Sequence, residues 1–220
     1  RAYEIDEGDS ALVDCIACCL TMEAERLNLP EVEATELRAR ARGIVERQIV
    51  RDPGHAGLRR LLSDLGIREG LVSLHQGADP SRWFADARAA ADEAIRLDPS
   101  HSPALMCLAQ IKLGQGMWAS RRGQDPRPDL REALGLLDAA RARGADAGAV
   151  WGTTGLVQQS IADADAERGG DPRAAFEAAL AAFAECRRLD PREPLQYLRS
   201  AEILRRRGLR ALAGGVLELV

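Results

Sequence analysis

Three cysteines near the start of the chain, Cys15, Cys18 and Cys19, form the pattern C-x-x-C-C, which is the pattern most suggestive of metal chemistry in this sequence. A structural zinc site needs four cysteine or histidine ligands at tetrahedral geometry. The three histidines of the chain have no zinc-like spacing. Because an unpaired cysteine also packs as a small apolar residue, we interpret these side chains as structural thiols and expect no metal or other cofactor.

The carboxylates of Asp163, Asp165 and Glu167 would suit general acid and base catalysis if they met on one face of a helix. Their spacing of i, i+2 and i+4 distributes them around a helix instead. The glycines at positions 114 and 116 do not open a helix after a strand, so they do not match a phosphate-binding loop. We therefore expect a solvated acidic face and no catalytic site, and the protein is predicted not to be an enzyme.

A repeated dipeptide shows how the chain is organised. Asp79-Pro80, Asp125-Pro126 and Asp171-Pro172 are spaced 46 residues apart, and each dipeptide follows a glycine two residues earlier. The prolines at 53, 99 and 191 keep the same phase in a second register, in which Ala145 takes the remaining position. Self-similarity at a fixed period of this length is typical of a helical array.

Each repeat reads as two helices joined by a loop. Apolar residues recur at helical spacing on both sides of the Asp125-Pro126 loop, as at Leu105, Leu108 and Ile111 before it and at Leu130, Leu134 and Leu137 after it. Proline is tolerated in the first turn of a helix, and the preceding aspartate is a good candidate for the N-cap. One Asp-Pro is therefore expected to open the second helix, and the other to separate neighbouring repeats.

Two segments identify a family. The sequence A-x-x-A-I-R-L-D-P at 91–99 and the sequence F-A-E-C-R-R-L-D-P at 183–191 resemble the closing half of a tetratricopeptide repeat. Small residues fall where the axes of paired helices would cross: in the first helices these are Ala17, Ser63, Ala109, Gly155 and Ala201. The common repeat has about 34 residues, so the surplus here predicts a longer first helix and a wider loop.

The resemblance implies an all-α fold, a tetratricopeptide-like α-α superhelix (solenoid) of about four helix pairs plus a C-terminal helix. We expect one solenoid over 1–220, with repeats at 7–52, 53–98, 99–144 and 145–190 and a partial repeat or cap at 191–220. The tail at 216–220 is apolar, whereas a solenoid needs a polar face at each end. The tail either folds back as a cap, continues into more protein, or pairs with a second chain.

In tetratricopeptide arrays the first helices line a concave groove, and the resemblance therefore assigns a set of groove positions to this chain. An apolar centre at Met106, Leu113 and Leu156, flanked by charges, would suit an extended peptide or an amphipathic helix of a partner protein. The groove residues implied in this way are Arg60, Asp64, Arg68, Met106, Gln110, Leu113, Leu156, Gln159, Glu202, Arg205 and Arg206.

Repeats of this length with Gly-x-Asp-Pro-Arg loops resemble the tails of large bacterial multidomain serine/threonine kinases. The expected function is thus a non-catalytic protein-protein interaction scaffold within a larger bacterial signalling protein. The chain begins with Arg1 rather than methionine, which fits an excised region. The alternative is a self-association module that forms a homo-dimer through the apolar C-terminal end.

Composition narrows the class of partner. The 220 residues include 29% charged and 4% aromatic side chains, with a net charge of −4 and a pI near 5.5, so no basic surface for nucleic acid is expected. No stretch of 18 apolar residues or signal peptide is visible. Reduced cysteines indicate the cytoplasm. The expected partner is a protein or peptide, not nucleic acid or a membrane.

The aromatic pair Trp83-Phe84 has two interpretations. Exposed at the start of a helix, it would be an anchor for a partner protein. Buried, it would pack beneath the preceding loop, and this is favoured because Leu130 and Phe176 occupy the same repeat position as Phe84.

Overall fold

The computed structural model describes residues 31–189 together with 16, 191, 199–201 and 203–205. Within these ranges the chain is helical and contains no strand, which confirms the predicted all-α fold built from helix pairs. The helices are α1 (Glu31–Arg51), α2 (Ala56–His75), α3 (Ser81–Leu97), α4 (Ser102–Arg121), α5 (Arg127–Ala142), α6 (Ala147–Glu167) and α7 (Arg173–Leu189). The cysteines at 15, 18 and 19 and the apolar tail lie outside the described residues.

The chain divides into two compact units, and the division falls inside α4. The N-terminal unit comprises Arg1–Gly114 and the C-terminal unit comprises Gln115–Val220. The helix pairs α2–α3 and α4–α5 fall within 53–98 and 99–144, and α6–α7 falls within 145–190. The boundaries of the repeats remain a prediction. None of the helices in the described ranges is long and apolar enough to span a membrane.

The first helices account for much of the extra length of the repeat. Helix α4 has 20 residues and continues to Arg121, so only 122–126 connect it to α5. A helix of 20 residues is about 30 Å long. The expected longer first helix is therefore present, and the loop that follows it is short.

Each unit has an apolar core at the crossing of its helices. In the N-terminal unit, α1 packs on α2 through a cluster of buried aliphatic side chains: Ala41, Val45, Ile49, Leu58, Leu61 and Leu65. In the C-terminal unit, α6 and α7 enclose a second cluster: Ala162, Phe176, Ala179, Phe183 and Ile203. Burial of one large aliphatic or aromatic side chain is worth about 1.5–3 kcal/mol, so these clusters hold the helix pairs together.

Phe84 fills the space between two first helices of the N-terminal unit. Its side chain is 1% exposed, and its ring lies against the backbone of Gly70 on α2 and Gly114 on α4. A Cβ added at either glycine would lie 2.4 Å from a ring carbon. The interpretation that Phe84 packs inside is therefore confirmed. Trp83 is half-buried, with the Arg42 guanidinium 5.5 Å from its ring centre.

The first helices end in one repeated geometry. A glycine at the end of each has a positive φ, +77° at Gly77 and +72° at Gly123 and Gly169. The next amide then donates to the carbonyl five residues earlier, which is the bond that defines a Schellman cap. These bonds are Ala78 to Ser73 at 2.8 Å, Gln124 to Ala119 at 2.9 Å and Gly170 to Asp165 at 2.7 Å.

The Asp-Pro dipeptides open the second helices, but the predicted N-cap was wrong by one residue. Pro80 and Pro126 occupy the N-cap position with αR backbone angles and no side-chain cap of their own. The aspartate before each proline reaches over it and accepts a hydrogen bond from the amide two residues on, at 2.8 Å from Ser81 and 3.1 Å from Arg127. The reason is that the proline ring already fixes a helical φ, so the aspartate acts through an Asx turn.

Candidate functional site

The predicted groove residues of α2 are half-buried and interact with one another. The guanidinium of Arg60 forms an ion pair with the carboxylate of Asp64 one turn away. The thiol of Cys107 on α4 lies 3.1 Å from Asp64 Oδ1, so it donates a hydrogen bond to that carboxylate. Burial, together with the charge of Asp64, raises the pKa of Cys107 well above its usual range. Cys107 is therefore held as a protonated structural thiol, because a nucleophilic cysteine needs a lowered pKa.

The predicted apolar centre presents little surface on α4. Met106 and Leu113 are each 9% exposed, whereas Gln110 between them is half-buried. In the C-terminal unit, Leu156 is also half-buried, and part of it packs on the core cluster of α6 and α7. On α4 the polar Gln110 therefore remains more accessible than the predicted apolar residues Met106 and Leu113.

Of the other predicted groove residues, three are among the described residues and two are not. Arg68 on α2 and Gln159 on α6 are half-buried, and Arg205 is exposed. Glu202 and Arg206 lie outside the described residues.

An open cleft of about 290 Å³ lies in the C-terminal unit, between the last turns of α4 and α6 and over the start of α5. Most of it lies beyond the groove positions that the resemblance implied, one or two turns further along the first helices. Its lining is mixed in character and consists of Gly116, Met117, Ser120, Arg121, Pro126, Leu130, Ser160, Asp163 and Glu167.

Two carboxylates contribute negative charge to this cleft. Asp163 and Glu167 are one turn apart on α6 and both line it, and Glu167 Oε2 accepts a hydrogen bond of 3.1 Å from Ser120 Oγ on α4. Asp165 belongs to a different contact, since its Oδ1 lies 3.4 Å from Nη1 of Arg127. The three acids therefore do not meet on one face, as their spacing indicated.

The loop edge of the C-terminal unit carries a network of arginine and aspartate side chains. Arg127 donates from Nε and Nη2 to the two carboxylate oxygens of Asp125, both at 2.8 Å, and Arg173 repeats this arrangement with Asp171. Hydrogen bonds from these arginines lower the pKa of Asp125 and of Asp171 to about 2. Arg168 donates to the carbonyl of Gln124 and so connects the two loops.

The described ranges contain no group of three or more His, Cys, Asp or Glu side chains placed to hold a metal ion. Cys107 and Cys186 are buried and form no disulfide. The Sγ of Cys186 lies 3.2 Å from the carbonyl oxygen of Gly148 and donates to it. Both cysteines are thus packed as structural thiols.

No protein-family model matches the chain, and no curated protein matches it. Among solved structures, the chain is similar to the crystal structure of a thermophilic TPR (tetratricopeptide repeat) protein of Thermus thermophilus. The two sequences are 19% identical over 88% of this chain and 92% of that chain, with a TM-score of 0.48.

Proposed function

We propose that this protein is a non-catalytic interaction scaffold that binds a peptide or helix of a partner protein along its first helices. One observation carries the proposal: in both units these helices keep half-buried side chains of mixed character where a partner could contact them. Gln110 on α4 and Gln159 on α6 are examples, and the cleft beside α6 adds a concave surface. A peptide docked in a helix-lined groove uses such mixed surfaces.

The chemistry of the polar side chains supports a binding role. Asp64 is engaged by Arg60 and Cys107, and Asp125 is engaged by Arg127. These side chains are therefore already engaged within the chain. The proposed partner is a protein or peptide, not a nucleic acid or a membrane.

The wider context is also a proposal. The Gly-x-Asp-Pro-Arg loops resemble those in tails of bacterial multidomain kinases, and we therefore place the scaffold in a larger cytoplasmic signalling protein of bacterial origin. The scaffold would then recruit substrates or regulators, while the chemistry takes place on another part of that protein.

A pair of variants that add charge to different surfaces tests the proposal. The variant Gln110→Arg with Gln159→Arg adds two positive charges on the first helices. The control Ala89→Arg with Ala181→Arg adds the same charges at exposed positions of the second helices α3 and α7. Proteins captured from a bacterial lysate are quantified by mass spectrometry. We expect a partner retained by wild type and control and reduced at least tenfold by the first-helix variant.

Equal capture by both variants would place the binding surface elsewhere, on the loops or the second helices.

The alternative function, self-association through the C-terminal end, has its own measurement. Light scattering of the full chain and of a chain without 209–220 would give a dimer and a monomer, respectively, if that end pairs. An oligomeric state that the deletion leaves unchanged would exclude pairing through the tail.

A further inference from the structure

In the part of the chain that the structure describes, Glu167 differs from its acidic neighbours in having a neutral partner. Asp125 and Asp165 each pair with the guanidinium of Arg127, at 2.8 Å and 3.4 Å respectively. Glu167, the last residue of α6, instead accepts a hydrogen bond of 3.1 Å from the hydroxyl of Ser120 on α4. A hydroxyl group orients this carboxylate but does not neutralise its charge.

Glu167 lines the open cleft of the C-terminal unit, together with buried and accessible residues. The buried ones are Gly116, Pro126 and Leu130. The accessible ones lie on two helices, Met117, Ser120 and Arg121 on α4 and Ser160, Asp163 and Glu167 on α6. A bound group would therefore lie across the cleft between α4 and α6, without displacing any side chain of the core.

The size of the cleft limits what it can hold. Its volume of about 290 Å³ is at the lower end of the range for ligand sites, which is about 300–1,000 Å³. Such a volume suits one long side chain rather than a folded surface. Met117 is the accessible apolar residue, whereas the hydroxyl of Ser160 donates to the carbonyl of Leu156 on its own helix at 3.0 Å.

The charges around the cleft favour a cation. Two carboxylates, Asp163 and Glu167, and one guanidinium, Arg121, leave the lining with one net negative charge. Helix α6 contains three acidic residues and no basic one, all three near its C-terminal end, where the backbone carbonyls add partial negative charge. The guanidinium of Arg168, the next residue, donates to backbone carbonyls.

We propose that this cleft receives a long basic side chain, lysine or arginine, of a partner peptide. Such side chains combine an apolar stem with a terminal cation. The stem would lie against Met117, and the cation would meet the carboxylates of Asp163 and Glu167. This inference rests on the scaffold function proposed above and specifies one contact within it.

Short capped peptides test the cleft without any knowledge of the natural partner. Acetyl-Ala-Lys-Ala-amide is titrated into the ¹⁵N-labelled full chain, and we expect saturable shifts of the amides of Gly116, Ser120 and Ser160. The matched probes replace lysine by norleucine, which keeps the stem without the charge, or by 2,3-diaminopropionate, which keeps the charge on a short stem. Each should bind about three- to fivefold more weakly, as expected for one partly exposed ion pair or its loss of reach.

One matched pair of variants tests the role of the charge. Glu167→Gln keeps an acceptor for Ser120 but removes the carboxylate, and should weaken binding of the lysine probe about three- to fivefold. Glu177→Gln removes the same charge from an exposed position of α7 and should leave the affinity within about twofold, because distant charges are screened. Both replaced side chains are exposed, so the fold should persist, which circular dichroism checks. Binding of the norleucine probe should not change in either variant.

Equal affinities for the lysine and norleucine probes would overturn the inference, as would shifts confined to other helices. The proposed function is tested separately, because Gln110 and Gln159 are outside the cleft lining. A partner lost with the variants at those positions but fully retained by Glu167→Lys would support the scaffold and overturn the basic side-chain site. Lysine-dependent probe binding by a chain that captures no partner would support the site and count against the scaffold.

Discussion

At the scale of single residues, close packing decides which glycines are required. The ring of Phe84 lies against the backbones of Gly70 and Gly114 and occupies the space that a side chain at either position would need. Protein interiors are packed to nearly crystalline density, so one added methyl group has to displace a neighbour. Gly135, in contrast, lies on α5 with open space around its Cβ direction. The same residue type therefore has opposite roles at these positions.

We predict that Gly114→Ala destabilises the protein by about 1–3 kcal/mol, the usual cost of overpacking. The new Cβ would lie 2.4 Å from the ring of Phe84, which Gly70 confines on its other side. The matched variant Gly135→Ala should instead stabilise by about 0.5–1 kcal/mol, because alanine is the better helix former. Urea denaturation measures both. A stabilising Gly114→Ala would show that the Phe84 ring is free to move.

A second prediction at this scale concerns the left-handed glycine that ends α4. Gly123 has φ of +72°, and a side chain there costs about 1–2 kcal/mol for most residues. Gly123→Ala should lower the free energy of unfolding by that amount. Gly123→Asn should lower it less, since asparagine adopts this conformation more readily. Equal losses for the two variants, measured by urea denaturation, would mean that backbone strain is not the cause.

At the scale of the elements, each loop combines two independent devices. The Schellman glycine ends the first helix, and the aspartate of Asp-Pro satisfies the first amide of the second helix. In two of the loops an arginine then adds a bidentate pair with that aspartate, in Asp125–Arg127 and Asp171–Arg173. Because Arg127 also bonds to Asp165, the loop edge connects α5 with α6.

The lowered pKa values of these two aspartates predict that the stability of the protein depends on pH. The pKa of Asp125 and of Asp171 is about 2 in the folded protein, below the value of about 3.9 for an aspartate in an unfolded chain. A lowered pKa means that the charged form stabilises the folded state above pH 4, and that this contribution is lost as the pH falls from about 4 to about 2.

The variant Asp125→Asn with Asp171→Asn should therefore have a lower melting temperature than wild type at pH 7, and the difference should shrink towards zero at pH 2. Thermal unfolding followed by circular dichroism across this range measures it. Asp86→Asn, at an exposed position of α3, is the matched control for the loss of one surface carboxylate. A difference that stayed constant with pH would contradict an electrostatic origin.

At the scale of the whole molecule, the chain consists of two compact units that share one helix. Repeat proteins behave as sums of local stabilities and contacts between neighbours, so damage in one unit should be felt mainly there. The core of the C-terminal unit includes Phe183, which lies against the backbone of Gly155. The core of the N-terminal unit includes Leu65 between α1 and α2.

We predict that Phe183→Ala, which should cost about 3–5 kcal/mol, raises hydrogen exchange in α6 and α7 more than in α1 and α2. Leu65→Ala, which should cost about 2–5 kcal/mol, is expected to give the reverse pattern. Hydrogen exchange followed by mass spectrometry compares the helices directly. An equal increase in both units for either variant would show that the chain unfolds as one cooperative block.

The sequence by itself determined that the chain is all-α and built from helix pairs. Periodic apolar residues, left-handed glycines and Asp-Pro dipeptides act within a few residues of chain, so their structural effects follow from local chemistry. The burial of Phe84 was also predictable, because Leu130 and Phe176, at the same position of the next two repeats, are apolar as well. The identity of the N-cap residue was missed by one position, since it depends on how the proline backbone competes with the aspartate side chain.

Only the tertiary structure decided which first-helix residues remain accessible. Met106 and Leu113 have the spacing of groove residues, yet neighbouring helices leave them 9% exposed. The cleft in the C-terminal unit was likewise not evident from the sequence. Its lining comes from three different helices, with Met117 on α4, Leu130 on α5 and Asp163 on α6. Burial and shape arise from contacts between residues distant in sequence, and repeat spacing alone does not specify them.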